Sequence, residues 1–122
     1  MGTFWVEIQA GDAKAERFET VRALADTGAA WTWLPSEILE RLGHKPTLKR
    51  RLQTADKRIV ERGAGYVPIR IGDETAPALC IFGDPGSMAL LAATTLQQFS
   101  LAPDPVNERL VPIVGMLATL LE

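Results

Sequence analysis

Alternation of apolar and polar side chains marks the first quarter of the chain. In "RFETVRALADTG", Phe18, Thr20, Arg22, Leu24 and Asp26 share one face of an extended strand, and Val21, Ala23 and Ala25 share the other. "TFWVEIQ" before it is β-rich and partly alternating, and "AGDAKAE" between the two is a turn cluster. "WTWLP" is a further short β-favouring run. The period then changes. In "SEILERLG", Ile38, Leu39 and Leu42 form an apolar stripe, Ser36 stands as N-cap and Gly43 as terminator, which predicts a short helix.

Farther on, "TLKRRLQTADKRIVERG" reads as a hairpin whose two charged, alternating arms flank the turn "TADKR". Arms this polar cannot be buried on both faces, so the hairpin projects or lies over a surface. "AGYVPIRIGDETAPALCIFGDPG" predicts two more strands joined by "GDET", with Pro68 marking the first as an edge or bulged strand. "MALLAATTLQQFSL" begins as a strand and turns helical at "ATTLQQF". "APDPVNERLVPIV" reads as a turn and a last short strand, and "GMLATLLE" is an apolar tail of undefined shape. The resulting expectation is a mostly-β single domain over residues 1–122 with one or two short helices. Short connections favour antiparallel meanders over parallel units.

Composition narrows the function classes. The 122 residues are 47% hydrophobic and 23% charged, as in an ordinary globular domain, and the core is small enough that association could add burial. A formal net charge of -2 argues against nucleic acid or an anionic membrane as partner. Lys49-Arg50-Arg51, the single basic cluster, reads as a solvated strand face. Cys80 is the only cysteine, so no internal disulfide forms, and its apolar run makes it a small packed hydrophobe. The N-terminus lacks a signal-peptide pattern, Val6 stands where myristoylation needs Ser or Thr, and no apolar run reaches membrane-span length. A cytoplasmic location is the default. His44, the only histidine, follows Gly43 as a surface residue suited to a helix C-terminus. It has no Cys or His companions for a metal site and no "GxSxG" for a nucleophile triad. The glycines of "RGAGY" and "GDPGS" fit no phosphate loop. Neither cofactor nor metal is expected.

Asp26 raises the chemical question, because a carboxylate between apolar runs is costly to bury unless paired or shifted in pKa. By itself "DTG" is equally a turn in which Asp accepts backbone hydrogen bonds. Its context is more specific. "ALADTGAAWTWLPSEILERLG", the charged hairpin around "QTADKRIV" and "GDPGSMALLAATTLQQFSLAPDPVNERLVPI" together resemble the retropepsin-like aspartic proteases, the single-domain group that includes retroviral proteases and bacterial relatives. The chain looks like a bacterial-type member, and the resemblance covers nearly its whole length.

That resemblance implies a closed acid-protease β-barrel active as a two-fold homodimer on a peptide or protein substrate. It makes Asp26 the catalytic acid/base, one from each chain, with a shared proton. Thr27 would hydrogen-bond across the dimer axis, and Gly28 would let substrate backbone approach. Leu24, Ala29, Trp31 and Leu90 would contact substrate side chains, and the hairpin tip Thr54, Ala55, Asp56 and Lys57 would close as a flap. Three features depart from the family pattern: Ala92 stands where glycine usually follows two apolar residues, Ala55-Asp56-Lys57 holds a flap tip that usually carries glycine, and Ala30 follows Ala29 where many relatives have a polar residue. Two rival readings follow, a weakly active or inactive module of the same fold for dimerisation or peptide binding, and a small β-domain with an incidental DTG. Trp31 and Trp33 suit core and pocket alike, and Trp5 suits core or interface.

Overall fold

The computed structural model describes residues 3–114. Strands β1 (Phe4–Gly11) and β2 (Phe18–Asp26) form an antiparallel hairpin, with Phe4 opposite Ala25 and Gly11 opposite Phe18. Val21, Ala23 and Ala25 are the buried face of β2, because period-two geometry turns them together toward the interior. β3 (Thr32–Pro35) leads directly into helix α1 (Ser36–Arg41). β4 (Leu48–Gln53) and β5 (Ile59–Ile71) form the charged hairpin, and β6 (Glu74–Gly83) returns along β5. β7 (Ala89–Ala92) runs into helix α2 (Ala93–Gln98), and β8 (Leu101–Asp104) pairs with β9 (Arg109–Pro112) in a separate two-stranded sheet.

Six strands close on themselves in the order β1-β2-β7-β3-β6-β5, and β5 returns to β1 through Gln9–Arg70 and Ala10–Ile69. Closure removes the sheet edges. β4 hangs outside this ring on one end of β5. Ile8, Val67, Ile69, Cys80, Leu91 and Leu96 fill the interior, with Leu39 and Leu42 of the α1 segment packed on it. Each fully buried Leu or Ile contributes about 1.5–3 kcal/mol. Burial pushes the Cys80 thiol up to about 12, so it is an inert packing group at neutral pH.

Several expectations need correction. The strands are not purely antiparallel: β2 runs parallel to β7, and β3 parallel to β6. These pairs join segments distant in sequence, so short connections give no sign of them. The second hairpin arm and the strand after it are one 13-residue strand, β5. Its Pro68 lies opposite Pro77 of β6, between the stretches of β5 that pair with β4 and with β1. The missing N–H therefore falls at a local edge. Residues 102–104, read as part of a turn, belong to strand β8. Ser36 is the first helical residue rather than the cap, which is Pro35, and no side chain caps the helix. Gly43, at φ +85°, follows the helix end in the left-handed region that glycine favours.

His44 is half-buried rather than a free surface residue. Its Nε2 lies 2.7 Å from the Gly11 carbonyl oxygen and tethers the end of α1 to the end of β1. Trp5 is 42% exposed and so is not core, with the Arg22 guanidinium 4.8 Å from its ring centroid. The tail "GMLATLLE" lies outside the described residues.

One buried polar pair ties the ring to α2. Thr32 and Thr95 are both buried, and their hydroxyl oxygens lie 2.7 Å apart. The Thr32 Oγ1 also accepts the Ala92 N–H at 3.1 Å. Replacing Thr32 by valine keeps the volume but strands both partners without water. Thr32→Val is expected to cost about 2–3 kcal/mol, while Thr32→Ser, which keeps the hydroxyl, costs about 1 kcal/mol for the lost methyl. Urea unfolding with an unchanged m-value measures both.

Candidate active site

Asp26 is the last residue of β2 and lies level with Ala92, the last residue of β7. The parallel pairing thus brings the carboxyl-bearing turn against the start of α2. The side chain of Asp26 is half-buried, and its Oδ1 accepts the Gly28 N–H at 2.9 Å. The Asp26 carbonyl accepts the Ala29 N–H at 3.2 Å. These two bonds form a tight Asx-type turn that fixes one carboxyl oxygen. A Cβ on Gly28 would sit 3.2 Å from that same oxygen, so glycine leaves the carboxyl room. Thr27 is exposed at the turn.

The first turn of α2 supports the loop from its far side. The Ala93 N–H donates to the Ala29 carbonyl at 3.4 Å, and the Thr94 hydroxyl donates to the Ala30 carbonyl at 3.0 Å. Ala92 is fully buried at φ -93°, ψ 168°, an extended conformation open to any residue. Glycine is therefore not required there, and the methyl group sits within the packing.

Beside this loop lies a cleft of about 460 Å³. Gly28, Ala29, Ala30 and Trp31 form one side. Trp33 and Leu90, directly opposed across β3 and β7, form the base. Arg51, Leu52 and Gln53, the end of β4, form the third wall. Five of the residues singled out from the sequence thus meet here: Gly28, Ala29, Trp31, Trp33 and Leu90. Leu24 pairs with Leu90 in the parallel register but does not line the cleft. Thr54, Ala55, Asp56 and Lys57 form the hairpin tip and are not among the lining residues either. Sequence reasoning missed Ala30, Arg51 and Leu52. The arm's alternation was visible, but not that its end meets the Trp31 side of the barrel. Arg50, from the same run, places its guanidinium 5.9 Å from the Trp31 ring centroid.

A separate cleft of about 370 Å³ lies beside His44, Lys45, Tyr66 and Phe82 and has no carboxylate among its lining residues. Among the described residues, no group of three or more His, Cys, Asp or Glu could hold a metal ion.

The hairpin tip is a three-residue loop, Ala55-Asp56-Lys57. The Lys57 N–H donates to the Thr54 carbonyl at 2.9 Å, and the Thr54 N–H donates to the Arg58 carbonyl at 2.8 Å. Lys57 occupies the left-handed region at φ +69°, the position glycine fills in such loops. A polar staple compensates: the Asp56 carboxylate accepts from the Thr54 hydroxyl and, at 3.0 Å, from Arg58 Nε. The Thr54 hydroxyl is the main cause that holds the Asp56 carboxyl below its ordinary value, although the group is solvent-exposed.

The Aspartyl protease family matches residues 7–95 of the chain. Among solved structures, the solution structure of simian foamy virus (mac) protease is similar with a TM-score of 0.56 and 18% identity, over 78% of this chain and 93% of that one. EIAV protease, complexed with the inhibitor HBY-793, is similar with a TM-score of 0.60 and 18% identity, over 78% of this chain and 86% of that one. The fold is therefore that of the retroviral proteases, a mostly-β closed barrel with two short helices. No curated protein matches the chain by sequence.

Two consequences of the hairpin-tip geometry can be measured. A carboxyl whose folded pKa is depressed contributes its stabilisation above the ordinary carboxylate value and loses it as pH falls through the folded one. Amide exchange at Lys57 and Arg58 should accelerate, relative to the barrel, as pH is lowered through the carboxylate range, and Asp56→Asn should abolish that acceleration. Lys57→Gly should relieve about 1 kcal/mol of left-handed strain, whereas Lys57→Val should lower the unfolding midpoint.

Proposed function

Because the chain belongs to the aspartyl protease family, we propose that it is a homodimeric aspartic endopeptidase whose two Asp26 carboxyls, one per protomer, activate a water. The observation that carries this reading is the Asp26 carboxyl itself: one oxygen is fixed by Gly28, and the turn that bears it borders a cleft with both aromatic and polar walls. The sequence has a single Asp-Thr-Gly, so a dyad needs a second copy. Closed two-fold dimers are the commonest assembly that supplies one.

Two carboxyls at hydrogen-bond distance hold one proton between them, since two like charges that close cannot both ionise. The ionised member takes a proton from the water as its oxygen attacks the peptide carbonyl carbon. The protonated member gives its proton to the carbonyl oxygen, so the pair still holds one proton beside a neutral gem-diol. Collapse breaks the C–N bond. The pair's proton goes to the leaving nitrogen, and a gem-diol hydroxyl returns one to the pair.

Thr27 joins the two turns across the axis in this arrangement. Gly28 admits substrate backbone, and Leu24, Ala29, Trp31 and Leu90 receive its side chains. The hairpin tip from Thr54 to Lys57 closes over the bound peptide and excludes water. The buried, extended Ala92 leaves the turn's geometry intact, which favours the enzyme over an inactive module of the same fold.

Asp26→Asn should reduce peptide hydrolysis to background with the unfolding midpoint little changed. Mixing the two proteins tests the shared site directly. If each active centre needs both carboxyls, activity at fixed total protein falls as the square of the wild-type fraction after subunit exchange. A linear fall in the mixture would show that each chain works alone. No cleavage of a broad peptide library by the wild type between about pH 3 and 7, the range over which a proton-sharing carboxyl pair operates, would remove the enzyme reading.

A further inference from the structure

Resting on the protease reading, we propose that Arg51 selects substrates carrying a carboxylate side chain near the cut, so that the enzyme prefers acidic segments. Arg51 is the one charged residue that lines the cleft beside the Asp26 turn, where its neighbours include Trp31, Trp33, Leu52 and Leu90. Arg51 is solvent-exposed at the rim of this cleft, and a lone cation there favours an anionic group over its neutral isostere.

The other cations of the hairpin explain why Arg51 in particular is available. Lys49 approaches Glu61 at 3.9 Å, although Glu61 stands directly opposite Arg51 in the ladder. Arg50 lies toward the Trp31 ring and donates from Nη1 to the Lys49 carbonyl at 2.9 Å. Arg58 pairs with Asp56 at 3.0 Å, and Arg62 with Asp84 at 3.3 Å. Among the described residues, Arg51 has no such partner. Lys57 is at the tip and does not line the cleft.

Charge distribution points the same way. From Leu48 to Arg62 the hairpin carries six cations and two carboxylates, on a chain whose formal net charge is -2. The positive charge is thus concentrated on the element beside the cleft, which steers acidic peptides toward it and weakens with added salt.

The test uses matched apolar peptides that differ only by Glu or Gln at one position, scanned across the cut at a pH where Glu is ionised. Wild-type protein should cleave the Glu peptide with about two- to fivefold higher kcat/KM at one position, the effect of one solvent-exposed charge pair. Arg51→Gln should erase that ratio, Arg51→Lys should keep part of it, and Arg51→Glu should shift the preference to Lys at the same position. Lys14→Gln, on the distant β1–β2 turn, should leave the ratio unchanged. Binding of the same peptides to Asp26→Asn protein, followed by tryptophan fluorescence, reads selection without catalysis. Equal affinity for Glu and Gln peptides at every position, or a Glu preference that survives Arg51→Gln, would overturn the proposal. If nothing is cleaved but the Asp26→Asn protein binds Glu peptides through Arg51, the hydrolytic reading falls and the selectivity stands.

Discussion

The site depends on how one turn is clamped between two parallel strand pairings. β2 delivers Asp26 beside the end of β7, and β3 carries the chain away beside β6. Between them the turn touches α2 through Ala29 and Ala30, and the buried Thr32 hydroxyl joins Thr95 to the backbone of Ala92. Each bond is modest, with a net worth of about 1 kcal/mol. Their arrangement matters more than their sum. A turn tied at both ends and along its back can hold a carboxyl in one orientation without spending a buried counter-charge on it.

This clamp also explains why glycine is needed at one place in the turn and not at another. At Gly28 the limit is contact, since a methyl group would crowd the carboxyl oxygen that Gly28 itself binds. At Ala92 the backbone is extended and the side chain is buried without conflict, so glycine's conformational freedom has no use there. The family's habit of glycine after two apolar residues therefore does not transfer as a requirement of this backbone.

Much of the fold was legible because local chemistry decides it. The alternation that buries Val21, Ala23 and Ala25, the apolar stripe of Leu39 and Leu42, and the turn around Asp56 are all short-range signals. What escaped was non-local or tertiary. Nothing near Asp26 says that its strand runs parallel to one bearing Ala92, more than sixty positions later. Strand β8 contains Pro103 and Asp104, which read locally as a turn, yet both pair with β9, opposite Leu110 and Arg109. In the site, Ala29, Trp31 and Leu90 could be singled out by resemblance. Arg51 could not, because a basic strand face looks solvated until the fold sets one end of it against Trp31 and Trp33.

The hairpin shows how the chain replaces glycine where conformation does call for it. Lys57 takes the left-handed position at some cost in strain, and the Thr54–Asp56–Arg58 bonds hold the tip in that shape. These bonds are exposed, so water and salt compete for every one of them. A tip held by strained backbone and solvated polar bonds opens at little cost, whereas the barrel below it is held by buried apolar contacts. Glycine would make such a tip mobile by giving it many conformations. Here the tip instead has a single conformation, held by exposed bonds, and it keeps the hairpin's positive charge in one place.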